Sequence, residues 1–195
     1  MSTCFDNGQR CVLVDNGYGD ECMYCGNKPQ ETKMGCDIHV YRERRVNGVW
    51  ETDTTRECES EPGASDPYYS YESGVGYVSR CYPMFAALSG VREYDRIRRI
   101  QPPAEDRGFP EDAAETHKLC SEQWDSDGHS HGWLDMAELD ALIEEYFQAP
   151  VLHEGSEYFE YAHASLVDLR TQAYSKGYFD GLAPEDCRIL FFYDN

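Results

Sequence analysis

The sequence predicts an α+β domain over residues 34–195: a small, mainly antiparallel sheet with about three helices, preceded by a Cys-rich tail. Three observations carry this. Cys36-Asp-Ile-His-Val-Tyr-Arg-Glu-Arg44 alternates apolar and polar side chains and runs toward an Asn47-Gly48 turn. The C-terminal half holds two stretches with apolar residues at helical spacing. Cys187-Arg-Ile-Leu-Phe-Phe-Tyr-Asp194 is a nearly continuous apolar run, as in a buried strand. At 195 residues, 41% apolar, with 15 Tyr and 8 Phe, the chain can build one core.

The elements follow in order. Residues 36–53 read as a β-hairpin, because Asn-Gly accepts the positive φ angles of a tight turn. Residues 55–78 are polar and aromatic with Gly and Pro, and read as a long loop. Pro83 fits the first turn of a helix through Leu88, and Gly90 stops it. Gln101-Pro-Pro ends whatever precedes it. Asp135 is an N-cap with Glu138 three residues on, a capping box flanked by Leu134 and Leu139. Met136, Leu139, Ile143 and Tyr146 repeat at helical spacing until Ala149-Pro150. Residues 156–175 carry a second amphipathic pattern, with Gly177 as its stop.

Residues 1–33 are rich in Cys, Gly and Asn. Cys4, Cys11, Cys22 and Cys25 are spaced C-x6-C-x10-C-x2-C, and Cys22-Met-Tyr-Cys25-Gly26 has the shape of a zinc knuckle. A segment this short cannot build a core alone, so a structural Zn²⁺ is one reading; a tail of reduced thiols is the other. Cys36, Cys81, Cys120 and Cys187 sit in apolar or strand-like settings and read as core residues. Nine cysteines, an odd count without a basic, apolar leader at Met1-Ser-Thr-Cys, suggest a reducing cytoplasm. No apolar run approaches the length of a membrane span.

The net charge is −20, and residues 104–160 carry 16 Asp/Glu against 2 Lys/Arg, or −14. Direct nucleic-acid binding needs a basic face and is disfavoured. Such a surface keeps the chain soluble, or attracts a basic host protein. The basic counterpart is a cluster at residues 92–99, formed by Arg92, Arg96, Arg98 and Arg99.

The chemistry concentrates in Asp125-Ser-Asp127-Gly-His129-Ser-His131, four potential ligands at alternate positions, and in Asp37-Ile-His39. In extended backbone each set shares a face. Two such couples from separate segments suit a hydrolytic metal site. Asp37, His39, His129 and His131 are the expected ligands, with Asp125 or Asp127 as a further ligand or general base. Mixed N/O donors favour Zn²⁺, Mn²⁺ or Fe²⁺ over Mg²⁺ or Ca²⁺. An EF-hand is excluded, since Ser130 stands where the loop needs Gly and Met136 where it needs Glu. Arg107, in Arg107-Gly-Phe-Pro-Glu-Asp112, could line the site and, with Arg80, Arg92 and the Arg96–Arg99 cluster, hold an anionic substrate. His117, His153 and His163 read as ordinary surface or core histidines. No G-x-S-x-G and no P-loop are present.

Met34-Gly-Cys-Asp-Ile-His39, Arg107-Gly-Phe-Pro-Glu-Asp112 and Asp127-Gly-His-Ser-His-Gly-Trp-Leu134 resemble the signature segments of a family of bacteriophage and prophage proteins. The resemblance covers about residues 34–195, implies a bacterial host cell, and leaves residues 1–33 as an extension. It implies no activity. Asp37-x-His39 and Gly128-His-x-His131 are also similar to the first and last metal motifs of calcineurin-like phosphoesterases, but the G-D and G-N-H-[DE] motifs between them are missing. The leading expectation is a metal-dependent phosphoesterase acting on a nucleotide-like anion. The alternatives are an acidic accessory protein that inhibits a host protein, and a binder that sequesters a small anion.

Overall fold

The computed structural model describes residues 35–92, 100–152 and 156–194 and, as backbone alone, four short segments before them. The chain divides into two units, residues 1–35 and 36–195. In the first, β1 (Phe5–Asp6) pairs antiparallel with β2 (Gln9–Arg10), and β3 (Leu13–Asp15) with β4 (Asp20–Cys22).

The second unit is α+β, with an antiparallel sheet of four strands in the order β6-β5-β10-β9. β5 (Asp37–Val46) and β6 (Val49–Thr52) form the hairpin expected from the alternation. Asn47 and Gly48 have φ of 52° and 82°, the pair of positive angles that a two-residue hairpin turn requires. The final strand, β10 (Cys187–Asp194), lies between β5 and β9 (His129–Asp135), and all its residues are buried. Cover on both faces is what its continuous apolar run signals.

The two faces differ. Cys36, Ile38 and Val40, with Ile189, Phe191 and Tyr193, belong to the main core together with residues of α1 (Tyr82–Ser89), α3 (Met136–Leu152) and α4 (Ser156–Ala173). The other face carries Asp37, His39, Tyr41 and Glu43 of β5, and Arg188, Phe192 and Asp194 of β10. A smaller cluster forms here, from Tyr41, Cys120 and Phe192 with Tyr71, Phe109 and Trp124 packed against it. Cys120 lies on α2 (Glu115–Gln123), a fourth helix beyond the three expected. Only His117 and Cys120 of α2 are buried, so no apolar stripe marked it in the sequence.

The cues at the other helix ends behave as the sequence suggests. Gly90 closes α1 at φ 72°, and its N–H bonds the Ala86 carbonyl. Asp135 Oδ1 accepts the Glu138 N–H at 2.7 Å, and Glu138 Oε2 accepts the Asp135 N–H at 3.0 Å. α3 then runs to Leu152, past the expected stop at Ala149-Pro150. Within residues 55–78 the expected loop contains a hairpin, β7 (Thr55–Cys58) against β8 (Tyr69–Glu72), with Arg56 lying 3.7 Å over the Tyr69 ring.

Arg42 ties the hairpin to the end of α4. It is 1% exposed and donates to the carbonyls of Ala173 at 2.8 Å and Ser175 at 2.9 Å, while Asp53 accepts from its other nitrogens. A fixed cation there meets the unpaired carbonyls and negative dipole of a helix C-terminus.

Candidate functional site

The site is built on the second sheet face around Phe192. Phe192 pairs directly with His39, and their rings stack at 4.6 Å between centroids. His131, on the opposite neighbour strand, stacks on the same ring at 5.6 Å. The two imidazoles therefore flank one phenyl ring. Trp124, at the end of α2, tilts against His39 at 4.7 Å, and Phe109 meets His131 edge-on at 4.8 Å.

Each imidazole has its own polar partner. His39 Nε2 lies 3.2 Å from Asp194 Oδ2, a diagonal neighbour across the β5–β10 ladder. The second oxygen of Asp194 accepts the Asp37 N–H at 3.0 Å, which fixes the carboxylate. Asp37 in turn is clasped by Arg80, at 2.9 Å from Nε and 2.6 Å from Nη2. That bidentate guanidinium holds the Asp37 carboxyl below the usual carboxylate range. His131 Nε2 is hydrogen-bonded to Ser121 Oγ of α2. Burial, and secondarily the neighbouring His129, push the His131 imidazole below its ordinary value and keep it neutral.

Residues 129 and 131 do not share a face, contrary to the alternation of the sequence. β9 is bulged: from Phe191 to Tyr193 β10 advances two residues, while its partner runs from Gly132 to His129. Ser130, at φ 51°, sits in this bulge. The extra residue turns His129 to the other face, where its ring stacks on Tyr193 at 6.0 Å. His129 Nδ1 is 3.0 Å from Ser130 Oγ, and its Nε2 is buried with no hydrogen-bond partner among the described residues. The extended run expected from Asp125 also fails, because residues 125–127 form a single helical turn with Asp125 and Asp127 exposed.

Arg107 is likewise engaged elsewhere. It donates to both Glu138 oxygens at 2.9 Å and to the Trp133 carbonyl at 3.1 Å, and lies 3.7 Å over the Trp133 ring. This anchors the loop before α2 to the start of α3. Arg96, Arg98, Arg99 and His153 lie outside the described residues, as do the side chains of Cys4, Cys11, Cys22 and Cys25. Among the described residues, no three His, Cys, Asp or Glu side chains are grouped to hold an ion in this arrangement.

His117, read as an ordinary histidine, is fully buried in a polar network below α2. Its Nε2 lies 3.0 Å from Thr52 Oγ1 and 3.1 Å from Thr54 Oγ1. Its Nδ1 is 2.9 Å from Glu43 Oε1, off the line of a well-formed hydrogen bond. Glu43 also accepts the Ala114 N–H at 2.8 Å and pairs with Arg188, which reaches Asp112 at 2.8 Å. Burial raises the Glu43 carboxyl, but His117, the Ala114 N–H and Arg188 together hold it below its ordinary value. Nearby, the Tyr41 hydroxyl and Cys120 Sγ share a hydrogen bond of 2.7 Å; burial raises both groups, so both stay protonated.

No protein-family model matches the chain, and no curated protein or solved structure does. Among the described residues, no helix is long and apolar enough to cross a membrane.

Proposed function

We propose that this chain is a metal-dependent hydrolase of a small phosphate ester, with His39 and Asp194 as the first two ligands of a Zn²⁺ or Mn²⁺ ion. One observation carries the reading: His39 Nε2 and Asp194 Oδ2 are 3.2 Å apart. Two donors at about 2.1 Å from one ion stand roughly 3.0–3.4 Å apart, depending on whether the angle is octahedral or tetrahedral. The pair is partly open, with His39 27% exposed and Asp194 11%. Asp37 is the direct cross-strand partner of Asp194 and supplies the third donor when it exchanges Arg80 for the ion. Arg80, 43% exposed, is then released to hold the substrate phosphate. An ion held there would acidify a bound water and polarise a phosphoryl oxygen. The resemblance to phage proteins supports a bacterial host cell as the setting.

The purified full chain is assayed on phosphomonoesters, phosphodiesters and a nucleotide panel with Mn²⁺, with Zn²⁺ and with EDTA. The expected result is turnover that EDTA abolishes and that His39→Ala and Asp194→Asn each reduce by orders of magnitude. Absence of turnover under all three conditions contradicts the reading.

A second reading is an acidic accessory protein that binds a basic host protein. It is favoured by Glu115, Glu122, Asp125, Asp127, Glu144, Glu145, Glu157 and Glu160, which all stand exposed within the acidic stretch. Binding of this kind weakens steeply as salt rises, because screening shortens to about 8 Å at physiological ionic strength. It survives His39→Ala.

A further inference from the structure

Ser121 and His131 form a hydrogen-bonded pair that the metal reading does not use. Ser121 lies near the end of α2 and His131 on β9, the strand that follows it, so the contact closes the short connection between the two elements. Both residues are half-buried. The imidazole is flanked on two sides, and the backbone that carries it is pinned. Phe192 stacks on it, Phe109 meets it edge-on, and its own carbonyl accepts the Gly108 N–H at 3.0 Å. These contacts hold the orientation of the ring, which is one of the roles that a buried carboxylate plays for the histidine of a catalytic triad. Gly128 lies against the end of α2; a Cβ there would come 3.1 Å from Trp124 Cβ and 3.3 Å from the Ser121 carbonyl. The chain at Gly128 thus passes close to the Trp124 side chain and the backbone of Ser121.

We propose that Ser121 is a nucleophile, with His131 as its general base, for hydrolysis of a small uncharged carboxylic ester. The inference stands on this pair alone and does not rest on the metal site. Ser121 Oγ attacks the ester carbonyl, and its proton passes to His131 Nε2. The bond to the alkoxide breaks, and the leaving alcohol takes that proton. Water then attacks the acyl-serine and gives a proton to His131, which passes it to Ser121 Oγ as the acyl–oxygen bond breaks and the acid leaves. Burial disfavours the charged imidazole, so one ring nitrogen is unprotonated at rest, and in the proposed reaction that nitrogen is Nε2, the one that faces Ser121 Oγ. The substrate class follows from the surroundings. Phe109 and Trp124 offer apolar surface to an acyl group, whereas exposed Glu122, Asp125 and Asp127 repel an anion.

The test is covalent labelling of the full chain by an alkyl fluorophosphonate in EDTA, read by intact mass and peptide mapping. The Ser121 Oγ–P bond forms, the P–F bond breaks, and fluoride leaves. The expected result is one equivalent of label on Ser121, absent in Ser121→Ala and slowed about a hundredfold or more in His131→Ala. An unlabelled Ser121 in the wild-type chain overturns the proposal whatever the variants do. So does labelling of Ser121 at an unchanged rate in a folded His131→Ala. Because EDTA is present throughout, failure here leaves the metal reading untouched, and failure of metal-dependent turnover leaves this result untouched.

Discussion

His129 and His131, two residues apart on one strand, lie on opposite faces of the sheet. Tyr193 receives the first ring and Phe192 the second. The cause is one extra residue in β9, at a position where Ser130 holds φ at 51°. A left-handed backbone at a residue with a Cβ costs about 1–2 kcal/mol, which the packing of both rings must offset.

Relief of that strain is measurable. Ser130→Gly is expected to be neutral or to raise the melting temperature by a few degrees, since about 1 kcal/mol corresponds to roughly 2–4 °C in a chain of this size. Ser130→Val, whose branched side chain tolerates positive φ poorly, is expected to lower it. Thermal unfolding by circular dichroism gives the order; a Val variant as stable as Gly contradicts the bulge assignment.

The Glu43–Arg188–His117 network is expected to be the most sensitive polar site. Glu43→Ala leaves Arg188, 2% exposed, without its buried partner, a loss on the order of 3–5 kcal/mol. Urea unfolding of the variant checks this, and a loss below about 1 kcal/mol means the pair is relaxed or hydrated.

The same network sets a pH dependence. The folded Glu43 carboxyl lies below its ordinary value, so the unfolded state binds the proton more readily. Its stabilisation is fully present above the unfolded carboxylate range, about pH 4–5, and is lost as pH falls through the folded value. Asp37 has the same sign through Arg80, with a smaller effect because both side chains are half-exposed. Stability measured from pH 7 to pH 3 should fall with a slope that Glu43→Gln flattens. Parallel slopes would rule Glu43 out as the titrating group.

Gly74 packs against the Arg42–Asp53 pair so closely that a Cβ would overlap Asp53 Oδ2 and Arg42 Nη2. Gly74→Ala must therefore displace the guanidinium that caps α4. We expect a loss of about 1–3 kcal/mol, as for other overpacked positions, by chemical denaturation. An Ala variant of wild-type stability would show that Asp53 yields freely.

Much of the sheet was legible and the site was only half so, for physical reasons. The period-2 pattern of Cys36–Arg44 and the Asn47-Gly48 turn are local signals, and they placed Asp37 and His39 on one face. The capping box at Asp135 and Glu138 was legible for the same reason. Asp194 was not, because its contact with His39 depends on a pairing register across 155 residues of chain. A bulge carries no periodic signature, so the alternation of the sequence places His129 on the wrong face. Nor does α2 have an apolar stripe, so no periodic signal singles out Ser121 or the Trp124 that follows it.

The tail is tested by its own metal. If Cys4, Cys11, Cys22 and Cys25 hold Zn²⁺, the full chain purifies with one thiolate-bound zinc that Cys22→Ser removes. Unchanged zinc content in that variant leaves the segment as a tail of free thiols.

Mn²⁺ separates the two sites, because it favours oxygen and imidazole donors over thiolates. Calorimetric titration of the full chain with Mn²⁺ is therefore the most direct test of the His39–Asp194 centre. The account predicts one saturable Mn²⁺ per chain, lost in Asp194→Asn while the fold is retained. No binding by the wild-type chain, or binding unchanged in Asp194→Asn, would contradict it.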